Sequence, residues 1–81
     1  MINLSGKTAL ITGGGQGVGQ GIALAMASAG AAIAVTGRTA EKLAHTVSLI
    51  EERGGKAIAL EGNVKSPDDL ARWVAETAAQ L

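Results

Sequence analysis

Thr12-Gly13-Gly14-Gly15-Gln16-Gly17-Val18-Gly19 (T-G-G-G-Q-G-V-G) places five glycines in eight residues. The residues before it, Thr8 to Thr12 (T-A-L-I-T), form a short apolar run that ends in glycine and read as a buried strand. After it, Gly17 to Ser28 reads as a helix. Val18, Ile22, Met26 and Ala29 recur every three or four residues and predict its apolar stripe. The helix is apolar almost all round, so it should be well covered, and Gly30 caps its C-terminal end. A strand, a glycine turn and a helix in succession make a natural anion site. The first N–H groups of the helix have no partner within it, and the positive end of its dipole lies behind them. Glycines let the turn take positive φ and let a phosphate approach the backbone. A side chain at Gly17 or Gly19 would stand between the helix and the phosphate or the sheet.

Outward from this turn the alternation continues. Ala31 to Thr36 (A-A-I-A-V-T) reads as a second strand. Thr39 is positioned to cap a second helix, with Glu41 in the first turn where the dipole favours an anion. Leu43, Val47 and Ile50 form the apolar face of that helix, and Gly54-Gly55 stops it. Lys56 to Glu61 (K-A-I-A-L-E) alternates as a third strand. Ser66-Pro67-Asp68-Asp69 combines a cap, a proline at the first helical position and two acids. Leu70, Trp73, Val74, Thr77 and Leu81 then share one face of a third helix. The pattern is βαβαβα. It predicts an α/β fold with a three-stranded parallel sheet and helical crossovers, formed as one unit over residues 1–81. Right-handed crossovers place the first two helices on one face of the sheet and the third on the other.

Composition narrows the function. The 81 residues are 47% hydrophobic and 17% charged, which suits a buried core and not a disordered chain. Seven basic and seven acidic residues cancel, leaving no electrostatic footprint for nucleic acid or an anionic membrane. The absence of cysteine removes disulfides and thiolate metal sites, and no metal site is expected. The uncharged interval between Lys7 and Arg38 is too broken by glycine to span a bilayer. No basic start with an apolar run opens the chain, so a cytoplasmic location is the expectation. In that setting Asn3-Leu4-Ser5 is a chance match to the glycosylation triplet. His45 lies off the apolar stripe with no second histidine nearby, and reads as a surface residue. Asp68 and Asp69 read as first-turn dipole partners, and Trp73 as a packing residue.

The glycine spacing is T-G-x-x-x-G-x-G. It matches G-x-G-x-x-G in no register. Gly6-Lys7-Thr8 matches only the tail of the phosphate-loop motif, with Met1 where its first glycine belongs. The segment resembles the cofactor fingerprint of the classical short-chain dehydrogenases/reductases. Leu4-Ser5-Gly6-Lys7, Gly30-Ala31 and Gly62-Asn63-Val64 extend the resemblance over essentially the whole chain. It implies a partial Rossmann fold that binds a nicotinamide dinucleotide. Gly13, Gly14, Gly15, Gln16, Gly17 and Val18 would form the turn beside the cofactor, with Gly19 packing the helix against the sheet. Asn63 stands where the family usually has an Asp near the adenine, followed by Val64. A carboxylate ending the second strand would select NAD. Here Gly37 stands there, followed by Arg38 and Thr39, which suit a 2′-phosphate. The resemblance therefore implies NADP(H) over NAD(H), although members that prefer NADP often carry a further basic residue where this chain has Gln16.

The family's hydride transfer uses a Ser, a Tyr in a Y-x-x-x-K pattern and an Asn further along. This sequence contains no tyrosine and no N-N-A-G segment, so no catalytic residue is assigned to it. Two readings stay open. One is the cofactor-binding segment of an NADP-dependent oxidoreductase acting on an alcohol or carbonyl compound. The other is a non-catalytic, truncated Rossmann half that self-associates with little or no nucleotide binding. Either way the first strand would lack a neighbour on one side, which predicts a homodimer or larger assembly.

Overall fold

The structure is a computed structural model and describes residues 3–81. Six elements alternate: β1 (Thr8–Thr12), α1 (Gly17–Ser28), β2 (Ala32–Gly37), α2 (Ala40–Glu52), β3 (Ala57–Glu61) and α3 (Pro67–Gln80). The sheet order is β1-β2-β3, and both pairings are parallel. Thr12 pairs with Thr36 and Gly37 with Glu61, so the strands end together at one rim. The chain therefore has the expected partial Rossmann topology. β2 starts one residue later than the sequence suggests. The Ala31 N–H donates to the Met26 carbonyl and the Gly30 N–H to the Ala27 carbonyl, closing the end of α1. Gly30 takes φ +105° there, which a side chain resists.

Strand alternation divides the core into two layers. Ile33 and Val35 of β2 join Ile11, Ala23, Leu43 and Ile50 beneath α1 and α2. Ala34 points the other way and meets Leu60 and Trp73 beneath α3. As the central strand, β2 is buried from Ile33 to Thr36. α2 docks as expected through Leu43 and Ile50, with Val47 packed beside them; Thr46 is buried as well.

Two expected faces are corrected. On α1, Val18 is 80% exposed and Ile22 is also exposed, while Ala23 is fully buried. Near its start small residues face inward because that end of α1 lies close to the glycine turn. A Cβ on Gly19 would overlap the Gly13 carbonyl oxygen, so bulky side chains cannot face the turn from the start of α1, whereas Leu24 and Met26 further along pack against the core, Met26 as expected. On α3, Val74 is exposed, Leu70 is half-exposed and Trp73 alone is fully buried. One large ring fills the space above Ala34 and Leu60. Leu81 does pack against this layer, as expected.

Candidate cofactor site

The carboxyl ends of parallel strands leave a crevice where the connecting segments diverge. Here that crevice is a cavity of about 450 Å³. Thr12 and Gly13 border it from the end of β1, and Thr36, Gly37 and Arg38 from the end of β2. Gly15 and Gln16 come from the turn, Thr39, Lys42 and Leu43 from the start of α2, and Gly62, Val64 and Trp73 from beyond β3. No carboxylate borders it among the described residues.

The glycine turn is held from several directions. Gly13 and Gly17 take φ +68° and +59°, values that L side chains rarely adopt. The Gly14 N–H donates to the Thr36 carbonyl at 3.2 Å, tying the turn to the end of β2. On the other side, the buried Thr46 hydroxyl donates to the Gly14 carbonyl at 2.9 Å. The Gln20 side-chain amide donates to that same hydroxyl at 3.2 Å. Thr46 thus bolts the turn to α2. Gly14 has no room for a side chain, because a Cβ there would lie 2.7 Å from Val35.

Among the residues expected at the site, Gly13, Gly15, Gln16, Arg38, Thr39 and Val64 border the cavity. Gly14 is buried behind it. Gly17, Val18 and Gly19 open α1 and do not line it. Asn63 does not border it either. Its side-chain oxygen accepts from the Lys65 N–H at 2.9 Å, and its own N–H donates to Asp69 at 2.8 Å. Asp69 accordingly braces the Asn63 turn as well as sitting in the first turn of α3. The Thr39 side chain makes no capping hydrogen bond, contrary to expectation, although Thr39 does occupy the cap position. Its hydroxyl is therefore not engaged by the helix that it precedes. His45 is exposed, as expected.

Sequence reasoning missed Thr36, Lys42, Thr46 and Gly62. Thr36 and Thr46 carried a signal, as polar residues inside apolar stretches. Lys42 carried one as a cation in the first turn of a helix, where the dipole disfavours it. Gly62 is explained only by packing, since a Cβ there would lie 2.9 Å from Trp73 and from Asp69. The Thr36 hydroxyl is buried without a partner. No group of three His, Cys, Asp or Glu residues that could hold a metal occurs among the described residues. None of their helices is long and apolar enough to cross a membrane.

Comparison with known proteins agrees with this architecture. The family model described as short chain dehydrogenase matches residues 7–81. The chain belongs to the short-chain dehydrogenase family. It corresponds to the N-terminal Rossmann cofactor-binding region of that family. This short-chain dehydrogenase sequence is 43% identical, over 72 residues, to a peroxisomal 2,4-dienoyl-CoA reductase of Arabidopsis thaliana; the match covers 89% of this chain and 24% of the relative. A 7α-hydroxysteroid dehydrogenase complexed with NADH and 7-oxo glycochenodeoxycholic acid superimposes with a TM-score of 0.94 at 35% identity, covering 96% of this chain and 31% of that one. L-Sorbose reductase from Gluconobacter frateurii, complexed with NADPH and L-sorbose, gives 0.93 at 27% identity, covering 99% and 31%. The chain thus spans about a quarter to a third of the length of these relatives.

Proposed function

We propose that the chain binds NADP(H) as the cofactor segment of a short-chain oxidoreductase, one that moves hydride between the nicotinamide and an alcohol or carbonyl substrate. One observation carries the choice of cofactor: Arg38 borders the cavity directly after Gly37, and no carboxylate borders it among the described residues. A guanidinium suits a phosphate, and an acid at the end of β2 would repel it. The residues present fit a dinucleotide. The turn from Gly13 to Gly17, backed by Val18 and Gly19, offers open backbone and a helix start to the pyrophosphate. Thr39 offers a free hydroxyl beside Arg38, and Thr36 an unpartnered one. Val64, which borders the cavity, and the preceding Asn63 are assigned to the adenine side.

The bound cofactor would supply the hydride. Without a tyrosine, this chain supplies no phenolic proton donor for the reaction, so the 81 residues alone are expected to bind and not to turn over. The deciding experiment is titration of the chain with NADPH and NADH, with Arg38→Ala alongside. NADPH should bind more tightly than NADH, and the variant should lose about tenfold for NADPH alone. Equal losses for both cofactors would refute the assignment of Arg38.

Self-association belongs to this proposal. β1 pairs with one strand only among the described residues, and Leu10 on it is 37% exposed. With Ile22 and Val74 also exposed, a second copy would cover apolar surface and a free strand edge together.

A further inference from the structure

Lys42 occupies a position that helix electrostatics disfavours. It is the third residue of α2, where the macrodipole repels a cation. The repulsion is not offset by an ion pair. The salt bridges among the described residues join Arg72 to Asp69 and Glu76, and neither Lys42 nor Arg38 takes part. The Lys42 ammonium instead donates a hydrogen bond to the neutral side-chain oxygen of Gln16, across the cavity mouth. The backbone of Lys42 lies close beside the glycine turn, where a Cβ on Gly15 would stand 3.0 Å from Lys42 Cβ. The cavity therefore holds two cations, Arg38 from the end of β2 and Lys42 from α2, with no acid facing them among the described residues. A phosphate monoester carries close to two negative charges at neutral pH. Arg38 balances one of them.

We infer that Lys42 is the second cation for the 2′-phosphate of NADP(H), and that Gln16 positions it. This rests on the NADP(H) reading above. Gln16 contributes no charge of its own; it holds a charge that α2 delivers. The phosphate would in turn neutralise the cation at the helix N-terminus, a gain that NAD(H) cannot supply. The two cations differ in kind. Arg38 presents a planar fork, and Lys42 a mobile point charge.

The test uses the 81-residue chain and isothermal titration with NADPH, NADH, 2′,5′-ADP and 5′-AMP. Lys42→Met keeps the stem and removes the charge. It should weaken NADPH and 2′,5′-ADP about tenfold and change NADH and 5′-AMP less than about twofold. Lys42→Arg should retain most of the affinity. Gln16→Met should cost a smaller factor for NADPH in the parent chain and nothing in the Lys42→Met background. Unchanged NADPH affinity in Lys42→Met, or equal losses for NADPH and NADH, overturns the role of Lys42. If Arg38→Ala still loses NADPH selectively in that case, the NADP(H) reading survives without Lys42. A parent chain that binds both cofactors equally, or neither, overturns the proposed function and this inference with it.

Discussion

A single hydroxyl, that of Thr46, fastens the glycine turn to α2. It satisfies the buried Gly14 carbonyl and accepts from Gln20. Thr46→Val keeps the shape and leaves both partners short of a hydrogen bond, so it should cost about 1–3 kcal/mol in urea denaturation. Thr36 presents the opposite case. Its buried hydroxyl has no partner in the free protein, so Thr36→Val should leave stability unchanged or raise it by about 1 kcal/mol. A loss above that size would show that the hydroxyl has a partner after all. Gly19 tolerates no side chain, because its Cβ would overlap the Gly13 carbonyl. Gly19→Val should therefore displace the turn and abolish NADPH binding in a titration. Gly17 differs: nothing crowds it, and the strain of substitution comes from φ +59° alone. Gly17→Val is expected to abolish binding as well, through a turn that can no longer keep its shape.

The helices differ in how firmly they are held. α1 and α2 both end in closures that use a glycine at positive φ, Gly30 and Gly54, with the following N–H groups satisfying the last carbonyls. α3 depends on its other end. The Ser66 hydroxyl accepts from the Asp69 N–H at 3.3 Å, Pro67 opens the first turn, and Asp69 reaches back to the Asn63 N–H. Beyond that end, its one fully buried residue is Trp73, whose indole N–H donates to the Glu61 carbonyl at 3.4 Å. Ser66→Ala should cost about 1 kcal/mol and speed hydrogen exchange in α3 before β2. Uniform acceleration across the sheet would mean that α3 opens only with the whole molecule.

At the scale of the whole molecule, the three strands and three helices of the described residues leave apolar surface uncovered. Leu10 faces the α3 side of the sheet, but α3 sits over β2 and β3. The 81-residue chain is therefore expected to sediment as a dimer or larger species at high micromolar concentration, and Leu10→Lys to shift it towards monomer. A well-folded parent monomer at that concentration would defeat the proposed self-association. With either cofactor and a ketone or alcohol, absorbance at the NADPH band should stay at background. Turnover by the pure chain would require a proton donor other than tyrosine.

The order of elements and the glycine turn were legible in the sequence, because both are local. Strand-length apolar runs, Ser66-Pro67 and the glycines at the helix ends act within a few residues of themselves, so the parallel three-stranded sheet followed from their succession. What each helix buries was not legible to the same degree. On α1 the apolar periodicity pointed to Val18, Ile22 and Met26; Met26 packs, yet the close approach of Gly19 to the Gly13 carbonyl leaves Val18 and Ile22 outside and buries Ala23 instead. On α3, Trp73 filled the gap above Ala34 and Leu60, with Leu81 beside it, while Val74 stayed outside. The site divides in the same way. Gly37-Arg38-Thr39 could be read at the end of a strand. The bond from Thr46 to Gly14 spans 32 residues and that from Lys42 to Gln16 spans 26, and both exist only because the sheet brings α2 against the turn. Local chemistry wrote the elements into the sequence; which side chains meet was decided by the distance at which the packed elements come to rest.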